Sequence, residues 1–475
     1  MAVDEIFIAA AAGRALAGFF EAGFLARLEF AAQATDRRLG EVVLGRVARV
    51  DAGLGAVFVD IGDGLSGFLN RSDDRSGRCP SGDGDSVLVQ ISREAEAAEK
   101  SAKLTSAVVL PGRALIYCPG RPGIRVSRRI IDDGLRKRLL EVGRDLPAAG
   151  GGWFLRHGVA AADPAVIAAE APTLLDTWQR IEELARSAPA PVRLWRPPDP
   201  VLAAVADEAG PALKRVVVDD PAMLAALRTR FPDLAFDLHL AVGAEAADAL
   251  QAIEAGIDAA LAPDVALAAG GFIRIAETPA LVAIDVDAGS HRLGGDAATA
   301  LAVNLQAAEA MVREIRRREL SGHIVADFIA MRPRQSRVKL LDALRAAFAG
   351  DRLETHVAGY TPLGKVELSR RRVRPSLRAR LSSACPACAG SGFMLAPEAV
   401  ARRALRAALH ELSCPVGAAS LVAAPPVAAF LRGPAAEALA AVEARLGRRI
   451  AVREDPQVPA GAARFEIQAK ATGRG

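Results

Sequence analysis

Two short segments, LVAIDVDAG at 281–289 and HIVADFIAM at 323–331, each read as a buried strand that stops on an aspartate, and a helix-patterned stretch at 297–320 separates them. Apolar, often β-branched runs joined by a helical crossover predict a βαβ unit whose two strands are parallel. Leu281, Val282 and Ile284 precede Asp285, while Ile324 and Val325 precede Asp327. Between them Leu301, Leu305, Ala308, Val312 and Ile315 recur at helical spacing, which leaves Glu309, Arg313, Arg316 and Arg317 free to face outward. Open α/β sheets bind ligands outside the carboxyl ends of their strands, so Asp285 and Asp327 are expected together at that edge. Two carboxylates so placed repel unless a divalent cation or a shared proton sits between them, and hard oxygen donors suit magnesium or manganese. The pattern fits a metal site for phosphoryl chemistry. It also fits two strand-end aspartates that only cap loops.

A chain of 475 residues is too long for one core and predicts three to five domains. Its net charge of +4 conceals an asymmetry, because Arg313 to Arg380 holds 17 Lys/Arg against 7 Asp/Glu. Such a belt beside paired aspartates suits a polyanion whose phosphates are held while one is attacked, although any single arginine can equally be a solvated helix residue. Five scattered cysteines make no disulfide framework, so a reducing, cytoplasmic setting is expected. IFIAAAAGRALAGFF at 6–20 lacks a basic start and is interrupted by Arg14, so it reads as folded structure. No membrane span is expected.

Residues 40–70 alternate through Val43, Gly45, Val47 and Arg49, with glycine turns at 53–55 and 62–64, which predicts a small antiparallel barrel continued by DSVLVQI at 85–91. A loop rich in Ser, Asp, Gly and Arg follows at 72–84. Phe58 and Phe68 stand out in a chain with only 16 Phe, 3 Trp and 2 Tyr. In an OB-fold they would stack on bases; by periodicity alone they could as well be core. A helix is read over 173–188, a strand at 215–220, and junctions at Pro189–Pro200 and near 383–396. Beyond the last junction a small α+β unit is expected, with helices at 397–413 and 434–446 and strands near 419–424, 448–453 and 464–469.

Cys385-Pro-Ala-Cys388, followed by Ala-Gly-Ser-Gly, has the form of a zinc knuckle, but zinc takes four ligands and this chain offers two. A second copy could supply the other pair across a symmetric interface. Free thiols in a turn, or a redox pair, remain open. Cys79, Cys118 and Cys414 carry no such context.

Taken in order, GRVARVDAGLGAVFVDIG at 45–62, KLTSAVVLPGRALIYCP at 103–119, RVSRRI at 125–130, AIDVDAG at 283–289, NLQAAEAMVREIRRREL at 304–320, GHIVADFIAM at 322–331, GKVELSRRRVRPSL at 364–377 and CPACAGSG at 385–392 resemble the bacterial ribonuclease E/G family over nearly the whole chain, nearer to its ribonuclease G branch. The resemblance implies a multidomain α+β and α/β architecture. An RNase H-like domain from 1–35 and 198–262 would hold an inserted S1 (OB-fold) barrel at 36–125 and a 5′-sensor-like domain at 126–197. A DNase I-like catalytic domain at 263–383, a zinc-link at 384–396 and a small domain at 397–475 would follow. It also implies a single-strand-specific endoribonuclease that hydrolyses RNA with Mg2+ held by Asp285 and Asp327, with Phe58 and Phe68 contacting bases and Arg156 the 5′ end. Cys385 and Cys388 would share a structural Zn2+ between subunits of a homodimer or tetramer.

Four departures qualify that picture. Asp287 stands where the family has asparagine, Ala330 where it has aspartate, and Arg156-His157 where it has Arg-Thr. Asp351-Arg352 is followed by Leu353 and Glu354, without the usual basic residue, so 5′-end sensing is expected to be weakened or lost. The rival reading is a catalytically weakened RNA-binding relative; a purely structural tether would have no use for the aspartates.

Overall fold

Strand pairing in the first part of the chain joins segments far apart in sequence. Glu5–Ala9 lies parallel to Arg215–Val218 and antiparallel to Leu16–Glu21, in a five-stranded sheet ordered Asp237–Leu240, Arg215–Val218, Glu5–Ala9, Leu16–Glu21, Phe24–Phe30. The computed structural model describes all residues except 1–2, 12, 14, 32–38, 52, 71–81, 94–100, 129, 131, 158–162, 232–235, 269, 290–296, 389, 411–416, 460 and 470–475. Most of the loop read at 72–84, together with Cys79 and Cys414, therefore lies outside the described residues. Contacts divide the chain into Met1–Arg380 and Leu381–Gly475. No described helix is long and apolar enough to cross a membrane.

Within the first unit a five-stranded barrel is built from Val42–Asp51, Ala56–Gly62, Leu65–Asn70, Ala102–Thr105 and Ser86–Arg93, and pairing of Val42–Asp51 with Ser86–Arg93 closes it. Val43, Val47, Val57, Val59, Leu69, Val89 and Leu104 fill the interior. A side chain at position 45 would have no room, since a Cβ on Gly45 would lie 2.3 Å from Val59 Cγ1. The alternation read through Arg49 breaks at a bulge between Val47 and Arg49, which turns Arg49 out to solvent. Val192–Trp195 adds a further strand beside Val42–Asp51. Tyr117 and Trp153 centre the core of a separate four-stranded sheet flanked by Asp133–Arg144 and Pro164–Ser187. That last helix starts nine residues before the expected 173 and runs through Pro172.

The βαβ unit sits in a six-stranded sheet ordered Asp264–Ala266, Phe272–Glu277, Val282–Asp287, Gly322–Asp327, Val366–Arg370, Thr355–Tyr360. Only the central pair is parallel. Ala297–Arg317 and Arg334–Phe348 pack on one face through Val303, Met311, Ile315, Leu340 and Leu344.

One expectation for the crossover helix fails. Glu309 is exposed, but Arg313 and Arg316 are half-buried and Arg317 is buried. The helix is covered on a second side, where the guanidinium carbons of Arg313 and Arg317 lie 5.0 and 4.8 Å from the centre of the Phe24 ring. Glu314 accepts from Arg317 at 2.6 and 2.7 Å and from Arg318 at 2.7 Å, all three side chains being buried. Arg370 is likewise buried, on Asp351. Part of the basic belt is thus internal structure, since a helix packed on two sides leaves its arginines no solvent to face.

In the second unit the sheet order is Ile450–Glu454, Gly417–Ala423, Ala463–Ala469, with helices Pro397–His410, Pro425–Arg432 and Ala436–Leu446. Pro425–Arg432 was not read from the sequence. Two turns give too little periodicity to register, and its Pro-Pro start reads as a breaker although proline suits the first helical turn.

Candidate active site

Alternation along two strands assembles the site. Val282, Ile284 and Val286 are buried toward the helices, so Asp285 and Asp287 project from the opposite face, where both are exposed. Ile324 and Ala326 do the same for half-buried Asp327. The parallel register sets Asp285 directly beside Asp327. Asp327 is the last residue of its strand and Asp285 stands two residues before the end of its own, so the pair lies at the carboxyl end of the two parallel strands, on the face opposite the packed helices. Asp287 accepts the Gly289 amide at 2.7 Å, bracing the end of the strand.

The register carries on sideways. Arg274 pairs with Asp285 on one side. On the other, Ala326 pairs with Val366, which brings Lys365 next to Asp327, and its Nζ contacts Asp327 Oδ2. Arg274 is committed to Asp264, donating from Nε and Nη2 at 2.7 and 2.9 Å. That hydrogen bond and the Asp264 charge hold the guanidinium pKa above its usual value, and the charges of Asp285 and Asp287 push it the same way. Behind Asp327, the buried Asn304 side chain donates to Ile329 O at 2.8 Å and accepts the Ile329 amide at 3.0 Å, fixing the chain just past the strand. Sequence reasoning passed over Lys365, Arg274 and Asn304. A signal for Lys365 existed: in KVEL, Val366 and Leu368 read as core, which puts Lys365 and Glu367 on the other face.

On the barrel, Phe58 and Phe68 are cross-strand partners, both half-buried and both outside the core cluster. Arg49 lies 4.7 Å from the Phe58 ring centre, and Lys103 pairs with Phe68 on the next strand. Phe58 and Phe68 thus stand side by side in register on one face of the barrel, between Arg49 and Lys103.

Arg156 is buried at the end of Gly152–Leu155. Its guanidinium is held by Asp207 and by the Gly112 carbonyl. The second Asp207 oxygen receives Arg352 at 3.3 Å, and Glu354 is exposed two residues further on.

In the second unit Cys385 is exposed and Cys388 half-buried, both as free thiols. The Gly392 and Gly390 amides lower the Cys388 pKa, and the Cys385 and Ser391 side chains add to this, which favours the thiolate that binds metal. Phe393, Met394 and Leu395 stand exposed beside the knuckle.

A model described as "Ribonuclease E/G family" matches residues 109–373, more than half of the chain. Ribonuclease G of Escherichia coli (strain K12) and that of Salmonella typhimurium are each 29% identical over 463 residues, covering 92% of this chain and 94% of theirs. Ribonuclease E of a Nostoc species is 31% identical over 377 residues, 75% of this chain and 54% of its own. Together with the paired aspartates and the closed barrel, these matches lead to one conclusion: the chain belongs to the ribonuclease E/G family.

Proposed function

We propose that this protein is an endoribonuclease of RNA processing and decay, one that takes single-stranded RNA and hydrolyses a phosphodiester with Mg2+ at Asp285 and Asp327. The pairing of those two aspartates in register carries the reading. The donor set fits the ion: two carboxylates on neighbouring strands provide hard oxygens, and among the described residues no third His, Cys, Asp or Glu completes a cage. Magnesium is ordinarily held by one or two carboxylates, with water and substrate phosphate completing its shell. When bound there it would lower the pKa of water and stabilise charge growing on the phosphate. The protein's own part is to fix both carboxylates on a rigid sheet and to hold flanking phosphates with cations. Cutting of a labelled AU-rich single strand in magnesium tests the reading, and binding without cutting would favour the weakened RNA-binding relative.

The domain plan that accompanies this reading has an RNase H-like part at 1–35 and 198–262, an S1 barrel at 36–125, a sensor-like part at 126–197, a DNase I-like part at 263–383, a zinc-link at 384–396 and a small domain at 397–475. Pairing of Glu5–Ala9 with Arg215–Val218 supports the split first part. RNA bases would stack on Phe58 and Phe68. Each Phe→Ala change is expected to weaken binding of an oligouridylate by about 1–3 kcal/mol in a filter-binding assay. The 5′ end is a different matter. Because Asp207 already holds Arg156, and an acid occupies position 354, 5′-monophosphorylated and 5′-hydroxylated forms of one RNA should be cut at nearly equal rates. A clear preference for the monophosphate would reject that expectation.

Cys385 and Cys388 would pair with the same residues of a second copy around one Zn2+, in a dimer or a tetramer. The thiolate-favouring amides and the exposed Phe393, Met394 and Leu395 support this. Chelation is expected to halve the mass seen by light scattering while circular dichroism stays constant; an unchanged mass would reject shared zinc. Free thiols suit a cytoplasmic setting.

A further inference from the structure

Read sideways across five strands, one row of the catalytic sheet runs Asp264, Arg274, Asp285, Asp327, Lys365. The two central carboxylates are neighbours of like charge, and a cation flanks each. The flanks differ in kind. Arg274 is held at two points, its planar fork donating both hydrogen bonds to Asp264 rather than to Asp285. Lys365 is tethered only through its backbone: its amide donates to Thr361 Oγ1 at 3.2 Å, its carbonyl accepts the Thr361 amide at 2.7 Å, and its side chain reaches Asp327 across a half-exposed gap. An ammonium on a four-carbon stem is a mobile point charge, and this exposed pair rests on a single contact where the Arg274 pair rests on two, so it is the easier of the two to displace.

We propose that Lys365 is the resident cation of the aspartate pair: it occupies Asp327 until a divalent ion takes that carboxylate, and then turns its ammonium to an RNA phosphate. This inference rests on the metal-binding reading of Asp285 and Asp327. Electrostatics favours both halves of it. A positive charge within contact of Asp327 subtracts from the affinity of any second cation for the same oxygen. Once displaced, the ammonium stands beside the ion on the face where the substrate must lie, and its natural partner there is a phosphate oxygen. The lysine therefore weakens metal binding in the absence of RNA and strengthens the complex when RNA and metal are both present.

The test uses the full chain and Mn2+ alone, with free ion followed by electron paramagnetic resonance and no RNA added. Lys365→Met is expected to bind Mn2+ about fivefold tighter than the native protein, and Lys365→Arg to stay close to native. Asp327→Asn serves as the control and should lose most of its affinity. In single-turnover cleavage at saturating Mn2+, Lys365→Met should be slower and Lys365→Arg largely restored. Unchanged or weaker Mn2+ binding by Lys365→Met, with Asp327→Asn still impaired, would overturn the role of Lys365 and leave the metal site standing. Native-like Mn2+ binding by Asp285→Asn and Asp327→Asn would remove the metal reading, and this inference with it. Tighter Mn2+ binding with unchanged cleavage would strike out the phosphate contact.

Discussion

Asparagine at Asp285 or Asp327 is expected to leave a protein that still binds RNA but cuts it about a thousandfold more slowly in magnesium, a loss of roughly 4 kcal/mol in transition-state stabilisation. The substitution keeps shape and removes only charge. Both residues project from the sheet toward solvent, and the charge contacts they make, Asp327 with Lys365 and Asp285 beside Arg274, are exposed ones that contribute little to the fold. Because the two act on one cation, their effects should not add: the double variant should be little worse than either single one. Stopped cleavage by native and variant chains, on one labelled RNA and with matched binding curves, is the measurement. A loss below tenfold for both variants would move the chemistry elsewhere.

The second large effect concerns stability. Glu314→Ala is expected to destabilise the first unit by about 3–5 kcal/mol, because it strands the buried guanidiniums of Arg317 and Arg318 together. Arg318 keeps the Ala262 carbonyl at 2.7 Å, but a carbonyl does not neutralise it. Glu314→Gln should fall between, keeping an acceptor and losing the charge. Urea denaturation read by fluorescence would decide. A loss under 1 kcal/mol would mean that water reaches these groups, as it does for surface pairs.

The parts of this architecture that could be read in advance depend on local periodicity. Ile284 and Val286 alternate with Asp285 and Asp287, and glycines punctuate the barrel strands, so both features stand out within ten residues of sequence. What could not be read depends on register between distant segments. Lys365 meets Asp327 because Val366 pairs with Ala326, forty residues earlier, and no local pattern contains that pairing. Arg317 is the opposite case: its periodicity was clear and its environment was not, since an outward face becomes an inward one when a second element, here the strand bearing Phe24, covers the helix. Arg49 was misplaced by a single bulge, which reverses every later side chain in a strand. For Cys385 and Cys388 spacing alone left a shared metal site, free thiols and a redox pair open, since two thiols in one chain do not define a four-ligand centre.

The pairing of Glu5–Ala9 with Arg215–Val218 also has a meaning in time. A chain made at about 5–20 residues per second offers its first strand roughly ten to forty seconds before that partner emerges. The barrel at 42–105 uses only strands close in sequence and can close during the wait. This sheet is thus begun before the barrel and the Tyr117–Trp153 sheet but completed after both, and its hairpin of Phe7, Phe19 and Phe20, all buried in the finished protein, must wait through their synthesis with one edge unpaired.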